Sequence, residues 1–132
     1  MKRNISQIAS DFMKWLHDLL ASQRYILLNR REHEKADKLG DKLLGYYDNK
    51  GVYIIPDKVF ELAEDFMMEH NADIVSVETD LMFAEIIHPE YDGIKLRFRK
   101  QKRIGKSKKR YLTFERRWFE NNDELTEIIN CR

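Results

Sequence analysis

Apolar residues near the N-terminus recur at the spacing of one helical face. The positions are Ile5, Ile8, Phe12, Trp15, Leu16, Leu19 and Leu20, and the pattern runs on through Ile26 and Leu27. With Asn4 or Ser6 as the N-cap, this periodicity predicts a long amphipathic helix over residues 4–29. The next residues, 29–41, are almost wholly polar, and Gly40 can end any helix that they form.

Two short β-forming runs and two apolar helical stripes follow. Residues 43–47 and 52–55 are separated by the turn-forming segment 48–51 (DNKG), so they predict a β-hairpin. Beyond this hairpin, apolar residues return at helical spacing. They predict a pair of short helices over residues 57–88, of which the first covers residues 57–70.

From residue 94 the apolar period changes to two. The alternating apolar positions are Ile94, Leu96 and Phe98 on a first strand, and Leu112 and Phe114 on a return strand. This alternation predicts a basic hairpin over residues 94–114 with one buried and one solvated face. Its tip, residues 101–108, carries too many like charges to pack, so we expect it to be mobile. The tail after Arg117 predicts a short C-terminal helix, capped by Asn122 or Asp123.

These elements predict an α+β fold and, within that class, a winged helix-turn-helix. In that architecture a three-helix core packs on a small antiparallel sheet whose last hairpin projects as the wing. We expect a single domain over residues 1–132, because a chain of this length is too short for two independent cores. The predicted core comprises Trp15, Leu19, Phe60, Ala63, Leu81, Ile87, Leu96, Phe98 and Leu112.

The charge of the chain is concentrated in one segment. Residues 95–117 hold twelve Lys or Arg and a single acid, Glu115, which is a net charge of +11. Because the whole chain carries only +1, the remaining residues carry −10. An acidic body with one basic element attracts a polyanion at one face and repels it elsewhere, which favours an oriented contact with nucleic acid.

The basic hairpin is therefore the candidate nucleic-acid-binding site. Clustered cations can neutralise phosphates, and an interleaved tyrosine can pack on a sugar or an unstacked base. The candidate residues are Lys95, Arg97, Arg99, Lys100, Lys102, Arg103, Lys106, Lys108, Lys109, Arg110, Tyr111, Arg116 and Arg117. The expected partner is double-stranded DNA. Two alternatives stay open: an acidic protein partner, or a solvated edge hairpin whose charges prevent aggregation.

The second predicted helix is too acidic to read a DNA groove. We expect Glu78, Asp80 and Glu85 on its outer face, where carboxylates would be repelled by phosphates. Replacing all three with glutamine is therefore expected to leave the fold intact. Arg97 and Arg99 are expected to carry much of the affinity instead.

Signals of catalysis, cofactors and metals are weak. Gly105-Lys106-Ser107 resembles the end of a phosphate-binding P-loop, but position 100, where that motif needs glycine, is a lysine. The histidines, none of which lie at the i, i+4 spacing of a metal site, are His17, His33, His70 and His88. Cys131 has no partner for a disulfide. We expect no enzyme activity, no cofactor and no bound metal.

No part of the chain reads as a membrane segment. The apolar runs fall short of the roughly 18–20 residues that a transmembrane helix needs, and the N-terminus lacks the apolar stretch of a secretory signal. We therefore expect a cytoplasmic protein that does not contact a membrane.

Three stretches of the chain carry a family resemblance. They are residues 11–16 (DFMKWL) followed by Arg24 and Asn29, residues 51–66 (GVYIIPDKVFELAEDF), and residues 92–114 (DGIKLRFRKQKRIGKSKKRYLTF). Together they resemble the C-terminal region of primase-helicase replication proteins of phages and mobile genomic islands. The resemblance implies a winged-helix domain that binds origin or duplex DNA beside a helicase module, although this chain departs from the pattern in having no ATPase module.

Two functions remain open at this point. The first is a non-catalytic DNA-binding domain that serves replication of a phage or mobile genetic element, with a replication protein or helicase module as a further partner. The second is a small phage-type interaction protein whose basic hairpin binds an acidic protein surface or a nucleic-acid channel. Binding to duplex DNA that weakens steeply with salt would favour the first.

Overall fold

The N-terminal helix is shorter than its apolar pattern predicts. The structure, a computed structural model, describes residues 7–120. In it, α1 spans Gln7–Ala21 and the chain then turns through Gln23, which has a positive φ, into strand β1, Ile26–Asn29. The predicted helix over 4–29 is therefore wrong beyond Ala21. The reason is that Leu27 and Leu28 bury their side chains on opposite faces of a sheet, which a strand allows and a helix does not.

A five-stranded sheet forms the centre of the fold. Its strands are β1, β2 (Leu43–Tyr47), β3 (Gly51–Ile54), β6 (Lys100–Ile104) and β7 (Ser107–Glu115), in the order β1-β2-β3-β7-β6. Strand β1 runs parallel to β2, and the other pairs are antiparallel. The predicted hairpin at 43–55 is confirmed, because β2 and β3 pair directly across the turn at residues 48–50.

The parallel pairing of β1 and β2 needs a crossover, which residues 30–42 supply. It consists of a 3₁₀ turn (Arg30–Lys35), a short helix α2 (Ala36–Leu39) and a second 3₁₀ turn (Gly40–Lys42). We call residues 30–42 the crossover.

The predicted helix pair is present with different bounds. Helices α3 (Pro56–Leu62) and α4 (Glu64–Glu69) meet at Ala63, so the helix predicted over 57–70 is two helices. Helix α5 (Ile74–Phe83) begins at a capping box in which the Asp73 carboxylate accepts from the Ser76 backbone N–H.

The described chain ends in a short helix, α6, which spans Arg117–Glu120. The predicted caps Asn122 and Asp123 lie outside the described residues. Within residues 7–120, no helix is long and apolar enough to cross a membrane.

Helices α1, α3, α4 and α5 cover one face of the sheet and form the main core. Phe12 lies at its centre, with the rings of Trp15, Phe60 and Phe66 at centroid distances of 5.4, 6.1 and 5.6 Å. The predicted core residues that are buried are Phe60, Ala63, Leu81, Ile87 and Leu112, and Trp15 and Leu19 pack against them half-buried. Leu96 is wrong as a core residue, because it is 37% exposed, and Phe98 is only half-buried.

A second, smaller core occupies the other face of the sheet. It consists of Leu28, Tyr46, Tyr53, Ile104 and Tyr111. Ala36 and Leu39 of the crossover pack against it. Because both faces of the interior strand β7 are covered here, Tyr111, Leu112, Thr113 and Phe114 are all buried.

The α+β class is thus confirmed, but the basic segment forms two hairpins where one was predicted. Strands β4 (Glu90–Asp92) and β5 (Lys95–Arg97) pair only with each other, and β6 pairs with the first half of β7. The strand predicted from residue 94 is interrupted by a bend at 98–99. The reason is that residues 86–88 occupy the edge of β7 on which β6 lies: the His88 N–H donates to the Thr113 backbone oxygen at 2.8 Å and Ile87 pairs with Phe114, so residues 94–98 have no place beside this half of β7.

The tip of the β6–β7 hairpin packs on the crossover, which corrects the prediction of a mobile loop. Arg30 Nη2 donates to the Arg103 backbone oxygen at 2.6 Å. Gly105 adopts a φ of +63°, and a Cβ added there would lie 2.6 Å from His33 Nδ1. Like charges at the tip do not prevent this packing, because Ile104 is buried beneath it in the second core.

The contact between Gly105 and His33 yields a stability prediction. Gly105→Ala should lower the free energy of unfolding more than Gly93→Ala, measured by chemical denaturation. Both glycines have positive φ, which costs another residue about 1–2 kcal/mol, but the space around Gly93 is open. Adding His33→Ala to Gly105→Ala should reduce its loss toward that of Gly93→Ala. Equal losses for the two single variants would contradict the packed tip.

Candidate nucleic-acid interface

Two arginines of the predicted site, Arg99 and Arg110, form ion pairs and hydrogen bonds with other residues of the protein. Arg99 Nε donates to Glu78 Oε2 at 2.9 Å, and its Nη1 lies 3.7 Å from Asp57 Oδ1. Arg110 Nη1 donates to Glu90 Oε1 at 2.6 Å and to the Arg99 backbone oxygen at 3.0 Å. These contacts join the basic segment to helices α3 and α5 and to β4.

Two further arginines pair with acids near them in sequence. Arg97 Nη2 lies 3.7 Å from Asp92 Oδ2 across the β4–β5 hairpin, and Arg117 Nε lies 2.6 Å from Glu115 Oε2. Four of the predicted DNA-binding arginines therefore already have carboxylate partners. Arg97 and Arg99, which are expected from the sequence to carry much of the affinity, would therefore reach a phosphate in competition with these carboxylates.

The burial of Glu78 corrects the prediction that it faces outwards. Its side chain lies beside Val77 and Leu81 on the inner side of α5, and the residue is only 4% exposed. Burying a carboxylate is costly unless it is paired, and Arg99 supplies the pair. Glu85 is exposed as predicted, whereas Asp80 is half-buried.

Tyr111 is also placed differently from the prediction. It is buried in the second core, where its ring meets that of Tyr46 edge-on at 6.2 Å. Burial raises the pKa of its hydroxyl. Tyr111 is therefore unable to stack on a base without unfolding the hairpin.

The remaining candidates lie on the two faces and at the tip of the β6–β7 hairpin. These residues, which form no ion pair with a carboxylate of residues 7–120, are Lys100, Lys102, Arg103, Lys106, Lys108 and Lys109. We call this set the hairpin surface. Lys95 is exposed but lies apart from it, on β5.

Like charges face each other across the hairpin surface. The strand register sets Lys102 opposite Lys109 and Arg103 opposite Lys108. Lys102 Nζ lies 5.0 Å from the centre of the Tyr53 ring, and burial together with the nearby Lys100 and Arg30 lowers its pKa. Directly opposed like charges destabilise a strand pair. A bound anion would reduce this repulsion between the two strands of the hairpin.

A cleft adjoins the tip of this hairpin. Its volume is about 820 Å³, and it is lined by Asn29, Arg30, Arg31, His33, Tyr47, Asp48, Asn49, Arg103, Gly105 and Arg116. Four of these residues are arginines, and Asp48 is the one carboxylate among them. We call this site the arginine cleft.

Asp48 is fully engaged in holding the cleft together. Its Oδ1 accepts from the backbone N–H groups of Lys50 (2.8 Å) and Gly51 (3.0 Å) and from the Tyr53 hydroxyl (2.8 Å). Its Oδ2 accepts from Arg30 Nη1 at 3.2 Å. Burial acts to raise the pKa of Asp48, but these donors together outweigh it and lower that pKa.

Two of the cleft arginines are held in place by the fold. Arg30 Nη1 and Nη2 bind Asp48 and the Arg103 backbone, and its guanidinium lies 5.8 Å from the centre of the Tyr53 ring. Arg116 Nη1 donates to the Asp48 backbone oxygen at 2.8 Å, and the guanidinium lies 5.9 Å from the centre of the Tyr47 ring.

Of the four cleft arginines, sequence reasoning found Arg103 and Arg116 but missed Arg30 and Arg31. Both follow Asn29, where the predicted helix was expected to end, and so were assigned to a polar connecting segment. A parallel β1–β2 pair would have placed them beside the β2–β3 turn. The only local signal was the run of asparagine and two arginines after an apolar stretch.

Comparison with protein-family models, curated proteins and solved structures found no match to this chain. Within residues 7–120, no group of three or more His, Cys, Asp or Glu side chains is placed to hold a metal ion. The function is therefore inferred from the charge and the geometry of the described residues.

The buried ion pair gives a prediction opposite to the one made from sequence. Glu78→Gln should lower the free energy of unfolding by about 1–3 kcal/mol, because it removes the charge that compensates Arg99. The matched control, Glu85→Gln, changes an exposed residue and should stay within about 0.5 kcal/mol. Equal stability of the two variants in urea denaturation would show that the pair contributes nothing.

The lowered pKa of Asp48 predicts how stability depends on pH. A carboxylate with a lower pKa in the folded state stabilises the fold above its unfolded pKa of about 3.9, and this contribution is lost as pH falls through the folded pKa. Asp48→Asn should therefore cost about 1.5–3 kcal/mol at pH 7, and its deficit should shrink toward pH 3. The same comparison with the exposed Asp41→Asn should show no such deficit at pH 7. A pH-independent deficit for Asp48→Asn would contradict the assignment.

Proposed function

We propose that this protein is a non-catalytic nucleic-acid-binding domain that contacts the phosphates of double-stranded DNA through the hairpin surface. The observation that carries the proposal is the set of opposed cations on β6 and β7, Lys102 with Lys109 and Arg103 with Lys108, which form no ion pair with a carboxylate of residues 7–120. A polyanion between or along these strands would relieve their mutual repulsion. In this role the β6–β7 hairpin acts as the wing of a winged helix-turn-helix.

The dimensions of the hairpin suit a short contact with duplex DNA. A strand of five residues, as in β6, is about 17 Å long. One turn of duplex DNA extends about 34 Å, so the hairpin spans about half a turn. Such a contact reads phosphates and not base edges, and the binding should depend little on DNA sequence.

The rest of the molecule orients this contact. Residues outside 95–117 carry −10, and Glu85, in the turn that follows α5, is exposed to solvent. Repulsion between these acids and DNA keeps the helical side away from the duplex. We further propose that this domain serves the replication of a phage or mobile genetic element. This part of the proposal rests on the family resemblance of residues 11–16, 51–66 and 92–114.

One observation favours the second function, that of an interaction protein. The β4–β5 hairpin exposes Tyr91, Ile94 and Leu96, and Ile94 is fully exposed at its tip. Exposed apolar side chains on a hairpin are a common feature of protein contacts. If the chain fails to bind duplex DNA at low salt, an acidic protein partner becomes the better hypothesis.

Replacing Lys106, Lys108 and Lys109 with alanine tests the proposed function. The variant loses three possible phosphate contacts, so the slope of log affinity against log salt should flatten by up to about three units on random duplexes. Its thermal stability should not fall, because two opposed like-charge pairs, Lys102 with Lys109 and Arg103 with Lys108, are removed. Fluorescence anisotropy at four or more salt concentrations measures the slope.

The matched control replaces Lys14, Arg24 and Lys58 with alanine. This variant has the same change in net charge but alters residues outside the hairpin. It should leave the salt slope within about one unit of the unaltered protein. An equal loss in both variants would show that net charge alone attracts the DNA, and no loss in either would refute binding through the hairpin surface.

A further inference from the structure

The arginine cleft and the hairpin surface are continuous. Arg103 and Gly105 belong to the β6–β7 hairpin and also line the cleft. Arg30 joins the two directly through its 2.6 Å hydrogen bond to the Arg103 backbone oxygen. A ligand lying along the hairpin therefore meets the cleft at the hairpin tip.

The lining of the cleft is rich in positive charge, which favours the binding of an anion. Four arginines and one carboxylate line the cleft, and that carboxylate already accepts four hydrogen bonds from within the protein. Arg30 has five N–H donors, of which Asp48 and the Arg103 backbone take two. The guanidinium fork matches the geometry of a phosphate group and can bind it in a bidentate way.

The cleft is also organised before any ligand arrives. Arg30 is fixed by Asp48 and the Arg103 backbone, so binding does not need to order this long side chain. Arg31 and Arg103 are exposed at the rim, where they can close on a bound anion. Asn29 and Asn49 add amide groups to the lining.

The lining favours phosphate over base recognition. Tyr47 is the only large aromatic residue among the lining residues, and it is buried beneath the Arg116 guanidinium. Its ring face is therefore not available for stacking on a base. Contact through phosphate alone makes the site indifferent to nucleotide sequence.

We propose that the arginine cleft binds a phosphate group of the same polynucleotide that lies on the hairpin surface. This inference rests on the proposed function and extends it to the β2–β3 turn and the start of the crossover. It adds Arg30 and Arg31 to the interface, two residues on a different part of the chain from the basic segment. The alternative source of the same chemistry is a free nucleotide.

Charge reversal at Arg31 tests the cleft without altering the hairpin. Arg31→Glu should weaken binding to a random duplex at least tenfold at fixed salt, because it sets a carboxylate among the cleft guanidiniums. Arg24→Glu is the matched control, with the same charge change at an exposed residue outside the cleft, and should weaken binding less than threefold. Equal effects of the two variants would overturn the inference.

A second variant examines the guanidinium fork itself. Arg30→Lys keeps the positive charge but loses bidentate geometry, so it should weaken binding severalfold with a thermal melt as the folding control. If Arg30→Lys unfolds, Arg31→Glu still decides the matter. Unchanged affinity in a folded Arg30→Lys would count against the cleft.

The source of the phosphate is resolved by competing ligands. Inorganic pyrophosphate and adenosine monophosphate should shift the amide resonances at residues 30, 31 and 105 only at millimolar concentration, whereas a short duplex should shift them near its dissociation constant. Saturation by the mononucleotide at micromolar concentration would overturn the assignment to a polynucleotide.

The two proposals can fail separately. If the triple lysine variant loses binding but Arg31→Glu behaves like Arg24→Glu, the proposed function stands and the cleft assignment is wrong. If neither variant affects duplex binding, the proposed function fails and the cleft assignment fails with it.

Discussion

The Asp48 carboxylate is the interaction on which the arrangement of the site depends. Through its hydrogen bonds it closes the β2–β3 turn, anchors the Tyr53 hydroxyl and fixes the Arg30 guanidinium. Arg30 in turn holds the β6–β7 hairpin through the Arg103 backbone, and the Asp48 backbone oxygen holds Arg116. One half-buried acid therefore sets the relative positions of four segments that are distant in sequence.

Arginines and lysines of the basic segment occupy different environments in this molecule. Arg99 and Arg110 lie in paired, partly buried positions that suit a planar guanidinium. The Arg99 guanidinium lies beside the carboxylates of Glu78 and Asp57, and the Arg110 guanidinium donates to Glu90 and to the Arg99 backbone oxygen. The lysines at 106, 108 and 109 remain in water, where a flexible, strongly hydrated ammonium costs least. Positive charge in the sequence is therefore not equivalent to positive charge available to a ligand.

The sequence predicted local elements well where a residue's neighbours in the chain decide its conformation. The β2–β3 hairpin was predicted because the turn residues between Asp48 and Gly51 are adjacent in the chain, and the Asp48 carboxylate accepts from the Gly51 N–H. The apolar positions that include Phe12 and Leu16 likewise form a helix, as predicted. The predictions failed where a distant segment decides the outcome. Leu27 and Leu28 became a strand because β2 offers a parallel partner.

The sequence by itself determined the α+β class, the concentration of charge in residues 95–117 and most of the helical core, because composition and periodicity act over a few residues. Only the tertiary structure decided which cations are neutralised. Glu78 reaches Arg99 across 21 positions, and Arg30 reaches Arg103 across 73. No local pattern encodes such pairs, since they exist only once the sheet order brings the crossover, the β2–β3 turn and the basic hairpin together.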